Sequence, residues 1–382
     1  MRFTGIVMNK TPKNARRLRR WLLLVATALP AAAMADPPTV GLGYTGEVFS
    51  VVDGGLDTGT VYTGLAWIAF EGGGGDWRWA ANVLAPHGTS LSARYLGDLS
   101  VASNIDADTD PRLQEAWLQR DFGPWSLRGG MIAADAEFWG SDYGALFINS
   151  AFGAPPGVSL NLPGPPIYPV AAAGLRLAYD TGDGGTWRIA ATDGDSGDPL
   201  DDNRNGFDVS FGDGTLLIGE YERVFDRGED AVPDRWRVSV YRHGGDFVDA
   251  AGADVDASWG VIAGFDRAVT EGVGWFGRVN WSRSTTSFAP LTVETGLNFD
   301  APRDLPGTLG VAVEWVDLDR GLAEAADILD PDGEWVLEAT WALPFGAWTV
   351  QPDVQYIGQP GGSSSADDAW VVGVRVAWEA EI

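Results

Sequence analysis

AWVVGVRVAWEAEI, residues 369–382, decides the fold class of this chain. Trp370, Val372, Val374, Val376, Trp378, Ala380 and Ile382 share one face. Gly373, Arg375, Ala377, Glu379 and Glu381 share the other. Period-two alternation of this kind describes a strand with one apolar and one polar side. A strand of a soluble sandwich alternates too, so the aromatic positions must discriminate. Eight residues separate Trp370 from Trp378, roughly 26 Å along a strand at ~3.3 Å per residue. With a tilt of ~40° this becomes about 20 Å of height, close to the ~25 Å apolar band between the aromatic girdles of a membrane barrel. A soluble core keeps its tryptophans mid-strand, away from water, whereas these stand at both ends. The stretch reads as a membrane-spanning strand.

The pattern recurs upstream. Residues 347–357 put Trp348, Val350, Val354 and Tyr356 outward, and Thr349, Gln351, Asp353 and Gln355 inward. Residues 334–342 put Trp335, Leu337, Ala339 and Trp341 outward; Trp275 and Trp281 bracket another such segment. Continuing in this way predicts strands near 40–50, 60–70, 76–84, 112–122, 125–133, 172–180, 186–192 and 215–223. Eight more follow near 235–242, 256–266, 272–282, 291–299, 308–316, 334–342, 347–357 and 369–382. A further candidate, 91–101, loses its alternation at Tyr95–Leu96 and is assigned to a loop, which keeps the strand number even. With a periplasmic N-terminus, turns such as 122–125 and 343–347 fall on the periplasmic side. The long connections 85–111, 134–171, 193–214, 243–255, 317–333 and 358–368 all fall outside, as barrels of this class require, with 224–234 the longest exception on the periplasmic side. The expected fold is all-β: a transmembrane antiparallel barrel of about 16 strands.

Residues 1–35 read as a secretory signal peptide. Arg16, Arg17, Arg19 and Arg20 precede the apolar run Trp21–Leu29, and Ala33-Met34-Ala35 is an A-x-A cleavage site. Residues 36–382 are then one barrel domain. All 53 acidic residues lie in it, and seven of the 26 basic residues lie before it, so the mature charge is 19 minus 53, or −34. Such acidity argues against nucleic acid or anionic lipid surfaces as partners. The chain has no cysteine, so neither disulfides nor thiol chemistry are available.

The stretch Leu127–Gly153, LRGGMIAADAEFWGSDYGALFINSAFG, begins as a strand and then stops alternating until Ala173. Residues 135–170 hold Phe138, Trp139, Tyr143, Phe147 and Phe152 together with six prolines. Loops of this length are functional or disordered, and disordered ones are poor in aromatics. This one is expected to fold into the barrel mouth as a constriction loop.

Several stretches in order carry a resemblance. They are Gly54-Gly55, SNI at Ser103–Ile105, RLQEAWLQ at Arg112–Gln119 and the LRGG…EFW…LFINSAFG block. YPVAAAGLRLAY at Tyr168–Tyr179 and QPDVQYIGQPGG at Gln351–Gly362 complete the set. With these the chain resembles the carbohydrate-selective outer-membrane porins of OprB type. The resemblance implies a sixteen-stranded barrel passing sugars passively through the outer membrane of a Gram-negative bacterium. One departure is the C-terminus: porins of this kind usually end on an aromatic, and here Ile382 ends the chain.

A sugar-selective pore needs donors and acceptors for hydroxyls beside an aromatic ring for C–H faces. If Phe122 marks the outward parity, Glu115, Trp117 and Gln119 face the lumen; the reverse parity puts Trp117 in the lipid girdle. The inward reading is favoured because inward Glu and Gln cost less than lipid-facing ones. Arg128, Arg176 and Arg188 line a basic wall on three consecutive strands. Glu294, Glu314, Glu338 and Asp353 form the opposite acidic wall, which gives a transverse field able to orient dipolar solutes. In the loop, Asp135, Glu137 and Asn149 are candidates for solute contact, and Phe138 and Phe147 for pinning the loop to the wall.

Other classes fit less well. The mature chain has only His87 and His243, neither beside a serine and an orienting acid, so a hydrolase has little to stand on. Two isolated histidines make an equally thin metal site, and no cofactor is implied. An anion-selective porin wants lumenal lysine, and the only lysines are Lys10 and Lys13. A general-diffusion porin is the runner-up; a barrel enzyme or adhesin ranks lower. The implied partners are small sugars as solutes, outer-membrane lipid and lipopolysaccharide, with a homotrimer the assembly open to such a barrel.

Overall fold

The structure is a computed structural model. It describes residues 37–382 except 108–109, 198, 200–202, 210, 213, 227–231 and 302–305. The expected signal peptide, residues 1–35, lies outside the described residues. The first strands are β1 (Thr39–Asp53), β2 (Gly59–Gly74), β3 (Trp77–Gly88) and β4 (Arg112–Phe122). Next come β5 (Trp125–Ile132), β6 (Ala172–Asp180), β7 (Gly185–Asp193) and β8 (Thr215–Phe225). They continue as β9 (Asp234–Val248), β10 (Asp254–Thr270), β11 (Val273–Ser282) and β12 (Leu291–Asp300). The last are β13 (Thr308–Asp317), β14 (Gly333–Phe345), β15 (Trp348–Gly358) and β16 (Ala369–Glu381).

Among the described residues these sixteen strands form one closed antiparallel barrel in sequence order, β1 pairing with both β2 and β16. Closure leaves no unpaired edge, the condition for a sheet in hydrocarbon, where an unsatisfied backbone group costs several kcal/mol. Tryptophans mark two outward belts. Trp259, Trp281, Trp335 and Trp370 stand toward the long loops, and Trp187, Trp236, Trp275 and Trp348 toward the short turns. Neighbouring rings touch within each belt, Trp259–Trp281 at 5.1 Å and Trp348–Trp378 at 6.3 Å between centroids.

Several strands run longer than expected, β9 and β10 among them. β9 and β10 run past 235–242 and 256–266, so the outer connection shrinks from 243–255 to residues 249–253. Pairing continues there beyond the apolar band, where both faces meet water and the alternation that marks a strand fades. Residues 91–101 form no strand. Ser92–Leu96 makes one helical turn, with Leu91 and Leu96 buried inside the barrel.

The packed core lies within the barrel, between inward side chains and two inward-folded loops. From residues 133–171, Phe147, Ile148 and Phe152 pack on Phe276, Val336 and Ile357. Phe138, Trp139 and Val158 pack on Ile218, Tyr241 and Ile262. Each fully buried phenylalanine contributes roughly 2–3 kcal/mol. The second loop, residues 89–111, adds Leu91, Leu96 and Ala102 to the same wall. The result is asymmetric. Inward side chains of β8 and of β10 to β15 are covered, whereas Trp67, Asn82, Glu115, Trp117 and Arg128 on β2–β5 keep partial exposure.

Candidate pore constriction

The partly open wall starts from a register. Gln119 on β4 stands opposite Arg128 on β5, and Trp117 stands opposite Gly130. Gly130 has φ 143°, and a Cβ there would lie 2.2 Å from the Ala116 carbonyl oxygen and 2.7 Å from the Trp117 Cα. Glycine is required at this point of close approach. With no side chain opposite it, Trp117 presents its ring face to the Arg128 guanidinium, whose Cζ lies 3.8 Å from the ring centroid. Arg128 Nε donates to Gln119 Oε1 at 3.0 Å. Trp117, Gln119 and Arg128 therefore all face inward.

Glu137 comes down from the long loop onto this wall. Its carboxylate lies 3.3 Å from Arg128 Nη1, 2.7 Å from Arg176 Nε and 3.6 Å from Arg188 Nε. Arg176 also donates to Ser126 Oγ at 2.5 Å and to Gln119 Oε1 at 2.8 Å. Arg188 continues the network to Glu220 at 3.1 Å and Glu222 at 2.9 Å. Glu222 in turn takes Arg235 at 3.1 Å and Arg237 at 2.8 Å. A cavity of about 490 Å³ opens beneath Glu137 toward the short turns, lined by Arg78, Gln119, Asp121, Arg128, Arg176 and Arg188. A second, of about 420 Å³, lies toward the outer loops, with Thr63, Ser90, Arg94 and Asp106 in its lining.

The remaining candidates are engaged by the loops. Glu115 accepts from the Ala133 N–H at 3.1 Å. Asp135 accepts from the Tyr168 N–H at 2.9 Å, and the Tyr168 hydroxyl donates to the Ile105 carbonyl at 2.9 Å. These bonds tie the two inward loops together beside the open wall. Burial pushes the Asp135 carboxyl up to about 6, against the opposing pull of its backbone hydrogen bonds. Phe138 and Phe147 are fully covered in the two loop clusters.

Two expectations are corrected. Asn149 is wholly buried and does not reach solute. Its N–H and that of Ile148 donate to Glu338 at 2.9 and 2.7 Å, and its Nδ2 donates to Gln355 at 2.9 Å. Glu338 thereby serves the loop, as Glu334 serves the second loop by accepting from Leu99 and Ser100. Glu294, Glu314, Glu338 and Asp353 point inward but are at most 5 % exposed, so they present no acidic wall to water. The division of charge also fails. Glu220, Glu222 and Glu137 interleave with the basic side, and Arg278 pairs with Glu294 on the acidic one. Opposite charges at hydrogen-bond distance cancel over a few ångströms, which leaves local dipoles where a transverse field was expected.

Glu220, Glu222, Arg235 and Arg237 were not singled out from the sequence, although alternation in 215–223 and 235–242 places all four inward. Their signal was present in the parity. Nothing in the parity says which inward residues the loops will cover.

Residues 73–379 match the family described as "Carbohydrate-selective porin, OprB family". No curated protein matches the sequence. Among solved structures, Pseudomonas putida OprB, in a high-pH structure, superposes with a TM-score of 0.77 at 18 % identity, covering 95 % of this chain and 96 % of that one. A mutant of the Rh. blastica porin gives 0.54 at 11 % identity, covering 90 % and 100 %. The outer-membrane protein opdK of Pseudomonas aeruginosa gives 0.51 at 12 %, covering 92 % and 100 %. At these identities the likeness establishes the barrel fold.

Proposed function

The chain belongs to the carbohydrate-selective porins of the OprB family, and we propose that it selects sugars at the strip formed by Trp117, Arg128 and Glu137, with Gln119 fixing Arg128 from behind. It is an outer-membrane porin giving sugar-selective diffusion. The observation that carries the residue assignment is the Arg128 guanidinium stacked on Trp117, on the part of the wall that the loops leave open.

A passing sugar exchanges hydroxyl hydrogen bonds with water for bonds to a row of fixed donors and acceptors. Glu115 and Glu137 supply acceptors, and Arg128, oriented by the buried Gln119, supplies a planar fork of donors beside an aromatic edge. Because Arg128 is already engaged by Gln119 and Glu137, it offers a solute only part of its donor capacity. Weak, multiple contacts of this kind let a solute enter and leave. Asp135 acts by keeping the loop tip in register, and Arg176 and Arg188 hold Glu137 in place from behind.

The site is a passive channel without a catalytic step. The barrel sits in a Gram-negative outer membrane with its short turns periplasmic, and residues 1–35 direct its export. Its tryptophan belts meet outer-membrane lipid and lipopolysaccharide. A homotrimer would use the outward face of β1–β3, where Tyr44 bonds both Tyr62 and, at 3.0 Å, His87 Nε2. Polar side chains on a lipid-facing wall are better covered by protein than by hydrocarbon.

Planar-bilayer conductance with added sugars tests the reading. Glucose or a disaccharide should block the wild-type channel in a concentration-dependent way, and Trp117→Ala should weaken that block. Ohmic conductance indifferent to every sugar would sink it in favour of a general-diffusion pore.

A further inference from the structure

Arginines on the outward face of the strands fall into two groups. Arg120, Arg223 and Arg267 stand near the periplasmic turns, Arg120 over the Trp77 ring and Arg223 paired with Asp183. Arg242 is different. It lies on β9 toward the outer loops, exposed, directly opposite the outer-belt Trp259 on β10. Among the described residues it has no acidic partner. Arg283, one residue past β11, brings a second guanidinium to the outer end of β10: its backbone N–H donates to the Trp259 carbonyl at 2.9 Å and its Nη1 to the Ala257 carbonyl at 3.1 Å.

Below Arg242 the outward wall is concave. Leu175, Ala191, Leu217, Arg242 and Trp259 form one transverse row across β6 to β10. The next row toward the periplasm runs Leu127, Leu177, Ile189, Gly219 and Val240. Gly219 leaves a gap between Ile189 and Val240, and a groove of about 710 Å³ opens there. No backbone strain calls for glycine at this position, and a Cβ would sit 3.6 Å from Val240 Cγ2, an ordinary contact. The groove is therefore space that a larger side chain would fill.

We propose that the outward face of β6–β10 is a binding site for a phosphate-bearing, multiply acylated lipid of the outer leaflet, lipopolysaccharide in class. Arg242 and Arg283 take its phosphates, and the groove over Gly219 takes its acyl chains. A guanidinium is the side chain suited to phosphate at a poorly hydrated interface, being weakly hydrated and able to bind bidentately. Four inter-strand spacings give the face a width of ~19 Å, enough for several chains side by side. The mature net charge of −34 repels an anionic leaflet at long range, so retention of an anionic lipid requires a local cationic site such as this one. The assignment rests on the reading that this wall faces lipid.

Native mass spectrometry of the detergent-purified protein tests it, with phosphorylated lipid A, dephosphorylated lipid A and phosphatidylglycerol as probes. Wild type should retain phosphorylated lipid A in preference to both others. Arg242→Gln and Arg283→Gln should each weaken that retention by about fivefold, the effect of one arginine near an anionic lipid surface. Gly219→Leu, which fills the groove, should weaken both lipid A forms alike. Indifference of the wild type to the phosphates, or an unchanged double arginine variant, would overturn the site; equal retention of phosphatidylglycerol would overturn the choice of lipid. Conductance after insertion into a planar bilayer is recorded in parallel. A protein that conducts without discriminating phosphates refutes the site alone, and one that fails to insert refutes the membrane placement beneath it.

Discussion

Arg128 and Trp117 form a stacked pair on adjacent strands, the guanidinium carbon 3.8 Å from the ring centroid, on the wall that the inward loops leave open. The pair joins an apolar face to a fan of donors. Cation–π contacts are worth ~0.5–2 kcal/mol, more as water is excluded. Trp117→Ala removes both the ring and the support of Arg128. Sugar block in planar bilayers should weaken by about five- to tenfold, equivalent to ~1–1.4 kcal/mol. Single-channel conductance in plain salt should rise. Arg120→Ala is the control, since Arg120 points outward on the same strand over Trp77 and should leave sugar block unchanged.

Among the described residues Glu137 is the one loop carboxylate that reaches three guanidiniums, including that of Arg176, whose side chain is only 3 % exposed. Glu137→Gln keeps the shape and deletes the charge. Removing one partner of a buried ion pair costs ~3–5 kcal/mol, because the other is left uncompensated. Arg128 and Arg188 are partly hydrated, so about 3 kcal/mol is the expected loss of loop anchoring. The variant should show noisier, larger conductance and faster amide exchange over residues 133–171. Unchanged exchange there would detach Glu137 from any anchoring role.

Asp135 gives the long loop a pH dependence of definite sign. Burial raises its carboxyl from the ordinary 3.8 to about 6, so the folded loop binds more protons than the unfolded one between those values. Docking is therefore strongest below 3.8 and weakens as the pH rises to about 6, by up to about 3 kcal/mol for one such shift, and is flat above. Amide exchange across residues 133–171, corrected for its intrinsic pH dependence, should be slower at pH about 5 than at pH about 7. In Asp135→Asn the difference should shrink, the remainder coming from the other carboxylates that hold the loop, Glu115, Asp266 and Glu338.

The barrel was legible in the sequence because lipid imposes one rule on every strand. Trp370, Val372, Val374 and Trp378 need no knowledge of the rest of the chain to be placed outward. The inward faces obey no such local rule. Glu338 and Arg128 both alternate inward, yet one is capped by Ile148 and Asn149, some 190 residues away in the chain, and the other stays partly open. Which wall is covered depends on where two loops land, and that is set by long-range packing of Phe147 and Phe152 on Phe276. The expected basic and acidic walls failed for the same reason: parity gives the side of the sheet and says nothing of the partner across it.

Phe147 separates anchoring from selection. It is 1 % exposed, its ring centroid lies 5.0 Å from that of Phe152 and 5.6 Å from that of Phe276, and it is remote from Trp117 in the barrel order. Phe147→Ala leaves a cavity on the covered wall and should cost ~3–5 kcal/mol. The Glu137 contacts to Arg128, Arg176 and Arg188 hold the other end of the loop, so the barrel should still assemble and insert. If the loop is one packed unit, loosening its far end widens the pore, raising conductance while sugar block per contact stays near wild type. Trp117→Ala should show the complementary pattern, with block lost for a modest gain in conductance. Should both variants instead lose block to the same degree, selection would lie in pore width alone, and the Trp117–Arg128 strip would have no separate role.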